Sequence, residues 1–448
     1  MTKITVIGGG SYTWGPTFLR DIFATPELKG ATVVLHDILA DRMNLVHALG
    51  SKMIADFGLD YRLEKTLSLD EALRGADFVI LTITTGRLES MRPDLEIPAR
   101  YGIRQSVGDT TGPGGLARAL RNVPVIVEIA KKVNELCPNA LFLNYTNPMT
   151  VLTRALCMFR SVPNRTVGLC HEYIGVREHL ASIFNVSPAQ IQARVMGINH
   201  LIWITDLYAA GMHVWDDMPS VTAKILAGEL RVDQADTTVF ADHARVKSTL
   251  FGLYGALPAA GDRHIAEFFP QFINEATQWG AGYELQLTSI ADRLQLEAEA
   301  RMLIEAALSG QVPLQPFMQD VSTEAANKII RAVSSGQSYS GIVNLPNTGQ
   351  IAALPHAAVV ETYGVIDPLG TSALTFGDIP AGVQAVLEHH VRQQELTLQA
   401  ALTGNWDLAL QVLLNDPLSS RLTIPQARQL LQELLKANQA YLPAFFPG

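Results

Sequence analysis

Cys170 and His200 are the pair in this chain with the most chemistry to offer. Cys170 directly follows the apolar run 167–169, and His200 closes the stretch Gly197-Ile198-Asn199-His200. A thiolate and an imidazole together suit a divalent transition cation. Two protein ligands leave positions open for substrate oxygens. No C-x-x-C or H-E-x-x-H spacing accompanies them, so a small buried hydrophobe at Cys170 and a satisfied core histidine at His200 stand beside the metal reading. Gly261-Asp262-Arg263-His264 sets an acid, a fixed cation and a titratable imidazole in one turn-prone stretch. Such neighbours bring a pKa toward neutrality, although a surface turn would read the same. Gly108-Asp109-Thr110-Thr111-Gly112-Pro113-Gly114-Gly115 is a polar, glycine-dense loop, and its Asp109 offers an acid. Arg92, Asp94 and Glu96 lie just upstream, as ligand contacts or as a solvated helix face.

A second kind of chemistry is binding of a dinucleotide. Gly8-Gly9-Gly10-Ser11 follows the first apolar run and opens a helical stretch. Backbone amides at such a turn approach a pyrophosphate, and the helix N-terminus adds partial positive charge. Gly8, Gly10, Ser11 and Tyr12 would line the cofactor, with Thr84 at a neighbouring strand end. Thr13 replaces the third glycine of G-x-G-x-x-G, which loosens helix–strand packing but not the phosphate argument. Asp37 follows the second apolar run, where a carboxylate hydrogen-bonds a ribose hydroxyl and repels a 2′-phosphate, favouring NAD over NADP. A tight turn with no ligand is the alternative.

The elements that must position these groups are legible. Residues 4–7, 33–35, 78–83, 141–143 and 167–169 read as buried strands, separated by helical patterns such as 41–57 and 123–136. Alternation of this kind predicts βαβ units and a doubly wound parallel sheet of Rossmann type over residues 1–195. Ligands bind beyond the carboxyl ends of such strands. That edge collects Thr84-Thr85-Gly86-Arg87, Asn144-Tyr145-Thr146-Asn147-Pro148 and Cys170-His171-Glu172. After about residue 195 the rhythm changes. A strand at 202–207, a long helix over 283–308, a turn at 344–349 and a strand at 358–361 precede helices at 381–402, 406–414 and 425–442. This predicts an α+β unit over 196–448, to which the family resemblance below gives substrate binding and oligomerisation.

Composition narrows the classes. Lys+Arg 34 against Asp+Glu 43 gives a net charge of −9, which argues against nucleic acid or an acidic membrane surface as the main partner. No run approaches the ~18 apolar residues of a membrane span, and the N-terminus lacks secretory features. Three scattered cysteines form no disulfide framework and fit a reducing cytoplasm.

Taken together, the motifs resemble glycoside hydrolase family 4, the NAD-dependent glycosidases. The likeness rests on the Gly8–Ser11 turn, Arg92 through Tyr101-Gly102, Thr111-Gly112-Pro113-Gly114-Gly115 and Asn144 through Pro148. It extends to Cys170-His171, Gly197-Ile198-Asn199-His200 and Asn347-Thr348-Gly349-Gln350-Ile351 with Leu354-Pro355. The family stands outside the two-carboxylate scheme of most glycosidases. The resemblance implies a lactate/malate dehydrogenase-like fold, a homodimer or homotetramer, and two cofactors, NAD and Mn²⁺ or another divalent cation. It also implies a redox route: NAD takes hydride from the sugar's C3, a base removes the acidified C2 proton, and the glycosidic oxygen leaves by elimination. Water then adds to C1 and hydride returns.

Residue by residue, the resemblance implies Cys170 and His200 as metal ligands. It makes Asn147 and Arg92 sugar contacts, Asp109 an acid assisting the base, and His171 a general acid. Phospho-sugar members use a tyrosine base. This chain has none around 260–269, and Asp262 is preferred there, with His264 second. Cys170-His171-Glu172 is similar to the Cys-His-Glu-Val run of α-galacturonidases, while Tyr173 departs from it. The expected substrate is an α-linked hexuronic acid, galacturonide or glucuronide. The sugar's carboxylate would be met by Arg92, Arg263 or a protonated Glu172. Neutral α-glucosides or α-galactosides are the alternative. A lactate- or malate-type dehydrogenase is a further one, but it leaves the cysteine–histidine pair without a task.

Overall fold

The computed structural model describes residues 1–232, 238–319, 321–375 and 377–446. Its first half is a parallel sheet of β1 (Lys3–Ile7), β2 (Thr32–His36), β3 (Arg62–Thr66), β4 (Phe78–Leu81), β5 (Leu141–Asn144) and β6 (Thr166–Gly168). Across the sheet they run β3-β2-β1-β4-β5-β6, the doubly wound order of dinucleotide-binding folds. Helices cover both faces, so every residue of β4 and β5 is buried. β3 is the exception. It is an edge strand whose Arg62, Glu64 and Lys65 are exposed, charges that discourage further pairing. With one apolar residue in five it carries no strand signal in the sequence.

The second half supplies β7 (Ile191–Ile198), β8 (Leu201–Ala209), β9 (Met212–His213), β10 (Leu257–Pro258), β11 (Tyr339–Pro346), β12 (Val359–Asp367) and β13 (Gly370–Ala373). These pair antiparallel, as an α+β half requires, yet they extend the same sheet. Asn344 of β11 pairs with Gly168 of β6, and β12 joins β11 to β7. The predicted turn at 344–349 therefore begins later, since Asn344 through Pro346 finish β11. The β7–β8 hairpin turns on Asn199 and His200 alone. His200 sits at φ 64, a left-handed conformation uncommon for a residue with a Cβ.

The helix predicted at 123–136 starts much earlier, at Gly112, and runs to Leu136. The glycines there serve close packing: a Cβ at Gly115 would meet the Thr110 carbonyl carbon at 2.4 Å. Only residues 108–111 remain as loop, and they carry Asp109 and Thr110. The helices Ala381–Thr403 and Trp406–Asn415 pack onto this long helix, and Ile424–Ala437 packs against Trp406–Asn415 and Arg87–Arg100, all in one apolar core. Asp94, which the sequence offers as a ligand contact or as part of a solvated helix face, is fully buried and paired with Arg121 at 2.6 Å. No helix among the described residues is long and apolar enough to cross a membrane.

Candidate functional site

Because β1, β4, β5 and β6 are parallel neighbours, their carboxyl ends lie along one edge. The glycine turn leaves β1 there. Gly8 has φ 89, and a Cβ on it would strike the Thr82 carbonyl oxygen at 2.0 Å, so only glycine fits. The Gly8 and Gly9 N–H groups both donate to the His36 carbonyl at 2.9 Å. Asp37 Oδ2 accepts the Gly10 N–H at 2.9 Å, and its Oδ1 accepts from Leu39 at 3.0 Å. The strand-end acid thus shapes the turn. Ser11 Oγ accepts the Trp14 N–H at the start of helix Trp14–Phe23. The Tyr12 ring lies 4.0 Å beneath the Arg42 guanidinium.

A hydrogen-bond chain leads from the end of β4 to the hairpin of His200. Arg118 donates to Thr84 Oγ1 at 3.2 Å and to the Asn147 carbonyl at 3.0 Å. Asn147 Nδ2 donates to Asp109 Oδ2 at 3.3 Å. Thr110 Oγ1 donates to Asp109 Oδ1 at 2.8 Å and lies 2.8 Å from His200 Nδ1. A hydroxyl that donates to the carboxylate must accept from the imidazole, so Nδ1 carries the proton and Nε2 is left as a lone pair. Burial, then the neighbouring His264, holds the His200 pKa down at about 3, so the ring is neutral. Burial opposes ionisation of Asp109, but His200, His264 and Arg118 overcome it and keep it a carboxylate.

The His264 ring lies against that of His200, tilted by 37°, with ring centroids 3.8 Å apart. Asp109, His200 and His264 offer ligand atoms that all lie within 4.8 Å of one another. On the far side Glu172 accepts the Gly261 N–H at 2.7 Å, and its Oε1 lies 3.4 Å from His264 Nε2. Burial resists that charge, yet His264, His171 and His200 hold the Glu172 pKa at about 2. Glu172 is thus an anchor for the 261–264 turn. Cys170 stands outside the 4.8 Å group but shares its neighbours: Asn199, next to His200, hydrogen-bonds the sulfur, and Glu172 acts on both residues. Burial and the charges of Glu361 and Glu172 push the thiol pKa up. His171 lies 3.2 Å from Glu324 and 3.7 Å from Glu172. Burial opposes its protonation, but those acids raise its pKa to about 9, so it holds its proton at neutrality.

Two expected residues are not brought to this cluster. Asp262 Oδ2 accepts the Val246 N–H at 2.9 Å, and Oδ1 accepts the Lys247 N–H and Nζ, both at 3.0 Å. Its carboxylate is taken up at the N-terminus of helix Arg245–Tyr254, which speaks against Asp262, the preferred candidate, as base. Asp262→Ala is expected to lower stability by about 3 kcal/mol, by leaving buried Lys247 poorly paired, as read by urea denaturation. A normal denaturation midpoint with lost turnover would restore it as a candidate base. Arg92 pairs with Glu96 at 3.0 Å on the exposed face of helix Arg87–Arg100. Sequence reasoning missed Thr110, Arg118, Asn199, Glu267 and Glu361. Glu267 accepts the Val107 and Gly108 N–H groups at 2.6 and 2.8 Å, so it fixes the loop that presents Asp109. Glu361 accepts from Asn199 at 3.1 Å.

The sequence model for family 4 glycosyl hydrolases matches residues 3–186, and that for the family 4 glycosyl hydrolase C-terminal domain matches 195–419. The chain belongs to glycosyl hydrolase family 4. It is therefore a glycosidase by family. An α-galacturonidase of Bacillus subtilis is 35% identical over 97% of both chains. Among solved structures, a candidate glucosidase of Bacillus subtilis superposes with TM-score 0.89 at 33% identity, covering 97% of this chain and 100% of that one. A 6-phospho-α-glucosidase from gut microorganisms, solved with NAD and Mn²⁺, gives TM-score 0.84 at 21% identity over 99% of both chains. The last likeness bears on the fold alone, and it agrees with the strand order above.

Proposed function

We propose that this family 4 enzyme hydrolyses α-linked hexuronides, galacturonides foremost, with NAD and a divalent cation such as Mn²⁺ bound at the strand-end edge. The observation that carries the mechanism is the close grouping of His200, His264 and Asp109, tied by Asn147 and Arg118 to Thr84 on the edge where the glycine turn lies. The donors fit the cation: a neutral imidazole with a directed Nε2 lone pair and a nearby thiol form an N/S set that leaves positions open for substrate oxygens. Thr110 and Asp109 are the outer partners that orient the imidazole. The turn fits a dinucleotide, with Gly8 where no side chain is tolerated and Asp37 behind it. When bound, the two groups supply reversible oxidation at the sugar's C3 and polarisation of its oxygens.

The remaining work falls to the chain's own residues. His264, its Nε2 facing Glu172 Oε1, presents the other ring nitrogen to the C2 proton of the sugar. His171, protonated at neutral pH, can deliver a proton to the leaving oxygen. Asn147, already held against Asp109, orients the sugar's hydroxyls, and Cys170 with His200 holds the cation. Asp262 positions the turn that carries His264. The likeness to the α-galacturonidase supports the choice of sugar.

A panel of p-nitrophenyl α-glycosides that differ only at C6, assayed with NAD and Mn²⁺, tests the substrate. The galacturonide is expected to exceed the galactoside in kcat/KM by about a hundredfold. Preference for the galactoside or a 6-phosphate would overturn the assignment.

A further inference from the structure

Arg263 and Arg293 are cations beside this site that form no ion pair with a carboxylate among the described residues. Arg263 precedes His264 in the short helix Asp262–Ile265, and Arg293 lies in the first turn of helix Ile290–Leu308. The segment leading to Asp109 binds both. Arg293 Nη2 donates to the Val107 carbonyl at 3.0 Å, and Ser106 Oγ donates to the Arg263 carbonyl. Arg263 Nη2 donates to Thr288 Oγ1 at 2.6 Å, while the Thr288 N–H donates to Ser106 at 3.1 Å. The Phe240 ring packs against the Arg263 guanidinium at 4.8 Å. The two cations act on each other, and both feel Asp109 and Glu267.

Among the described residues neither guanidinium has a carboxylate oxygen within 4.0 Å, and the Nε of each is buried without a hydrogen-bond partner. The acids around them are engaged elsewhere. Glu267 takes the Val107 and Gly108 N–H groups, Asp109 takes Thr110 and Asn147, and Glu172 takes Gly261 beside His264. Two like charges in a partly buried place, with donors unmet, are a destabilising arrangement. An oxyanion placed between them relieves both. A planar carboxylate, with two oxygens and about four lone-pair sites, can accept from two guanidinium groups at once.

We propose that Arg263 and Arg293 together hold the C6 carboxylate of the uronic acid and set the enzyme's preference for it. The inference rests on the hexuronide reading above. Of the groups considered from sequence, Glu172 is occupied and ionised and Arg92 faces outward with Glu96. Arg263 remains, and the fold adds Arg293 from a helix 30 positions later in the sequence.

The test compares wild type with Arg293→Gln, Arg293→Lys and Arg263→Lys, all with NAD and Mn²⁺. The substrates are p-nitrophenyl α-D-galacturonide and its neutral C6 methyl ester. The ratio of kcat/KM, acid over ester, is expected to fall by about thirtyfold or more in Arg293→Gln, carried chiefly by KM. Arg293→Lys should recover part of that loss, and it carries the test should the glutamine variant fail to fold. As a second readout, free galacturonate should raise the wild-type melting temperature more than galactose does, and this difference should vanish in the variants. A ratio within about threefold of wild type in folded variants, on a wild type that prefers the acid, overturns the clamp alone. A wild type with no preference for the acid overturns the hexuronide reading, and this inference with it.

Discussion

Stripping the protein of NAD and divalent cations is expected to lower its turnover of p-nitrophenyl α-D-galacturonide by about a thousandfold or more, with full recovery on adding back NAD and Mn²⁺ together. Two features of the chain make this the expected result. First, the side chains of the cluster do not amount to an ordinary pair of glycosidase carboxylates. Of the nearby acids, Glu172 is held by Gly261 and His264, and Asp109 by Thr110 and Asn147, so neither stands free as the nucleophile that a retaining two-carboxylate enzyme needs. Second, His200, the proposed ligand, is a neutral imidazole whose one proton is already engaged. Its strained φ 64, its single proton directed at Thr110 and its neutrality all fix one outward lone pair. Cys170→Ser is accordingly expected to weaken cation affinity by about two orders of magnitude. NAD affinity should stay near wild type, because the glycine turn is built from separate contacts with His36 and Asp37. Calorimetric titration of each cofactor separates the two effects. Undiminished turnover after both are removed would contradict the account.

The second large effect is expected from His264→Gln, which should reduce kcat by about a thousandfold, within the range for loss of a general base. Melting temperature should change little, because the side chain is partly exposed and its contacts are the His200 ring and Glu172 Oε1. Glu172→Gln should lower kcat less. It keeps an acceptor for the Gly261 N–H but removes the carboxylate charge that lies 3.4 Å from His264 Nε2. The opposite order, with Glu172→Gln the more damaging, would make Glu172 the base and His264 its support.

How much of this was readable beforehand depends on which forces wrote the signal. The buried strands β1, β2, β4, β5 and β6 announce themselves because helices on both faces demand apolar residues at every position. β3 has no such demand at its exposed edge and was invisible. The helix from Gly112 was read as a loop because glycine and proline look like breakers, whereas here they allow Gly115 to sit against Thr110. At the site, Cys170 and His200 stand out by residue type, Asp109 by its glycine-dense loop and Asn147 by its strand-end cluster, while their roles come from the family resemblance. Sequence alone does not separate Asp262 from His264 as base, because they sit two residues apart in one stretch. Only the fold shows that the aspartate turns to the end of helix Arg245–Tyr254 while the imidazole lies against the His200 ring. Thr110, Glu267 and Arg293 matter through partners distant in sequence, and no spacing marks them.

The claim on which the whole account turns is that an imidazole at residue 264 takes a proton from carbon 2 of the sugar. Hydrolysis of p-nitrophenyl α-D-galacturonide bearing deuterium at C2, followed by kinetics and mass spectrometry of the product, measures it directly. The account predicts a kcat/KM isotope effect above about 2 and galacturonate that carries solvent hydrogen at C2, as rate-relevant proton transfer requires. Product that keeps its deuterium in full, formed at the same rate as from unlabelled substrate, would contradict it.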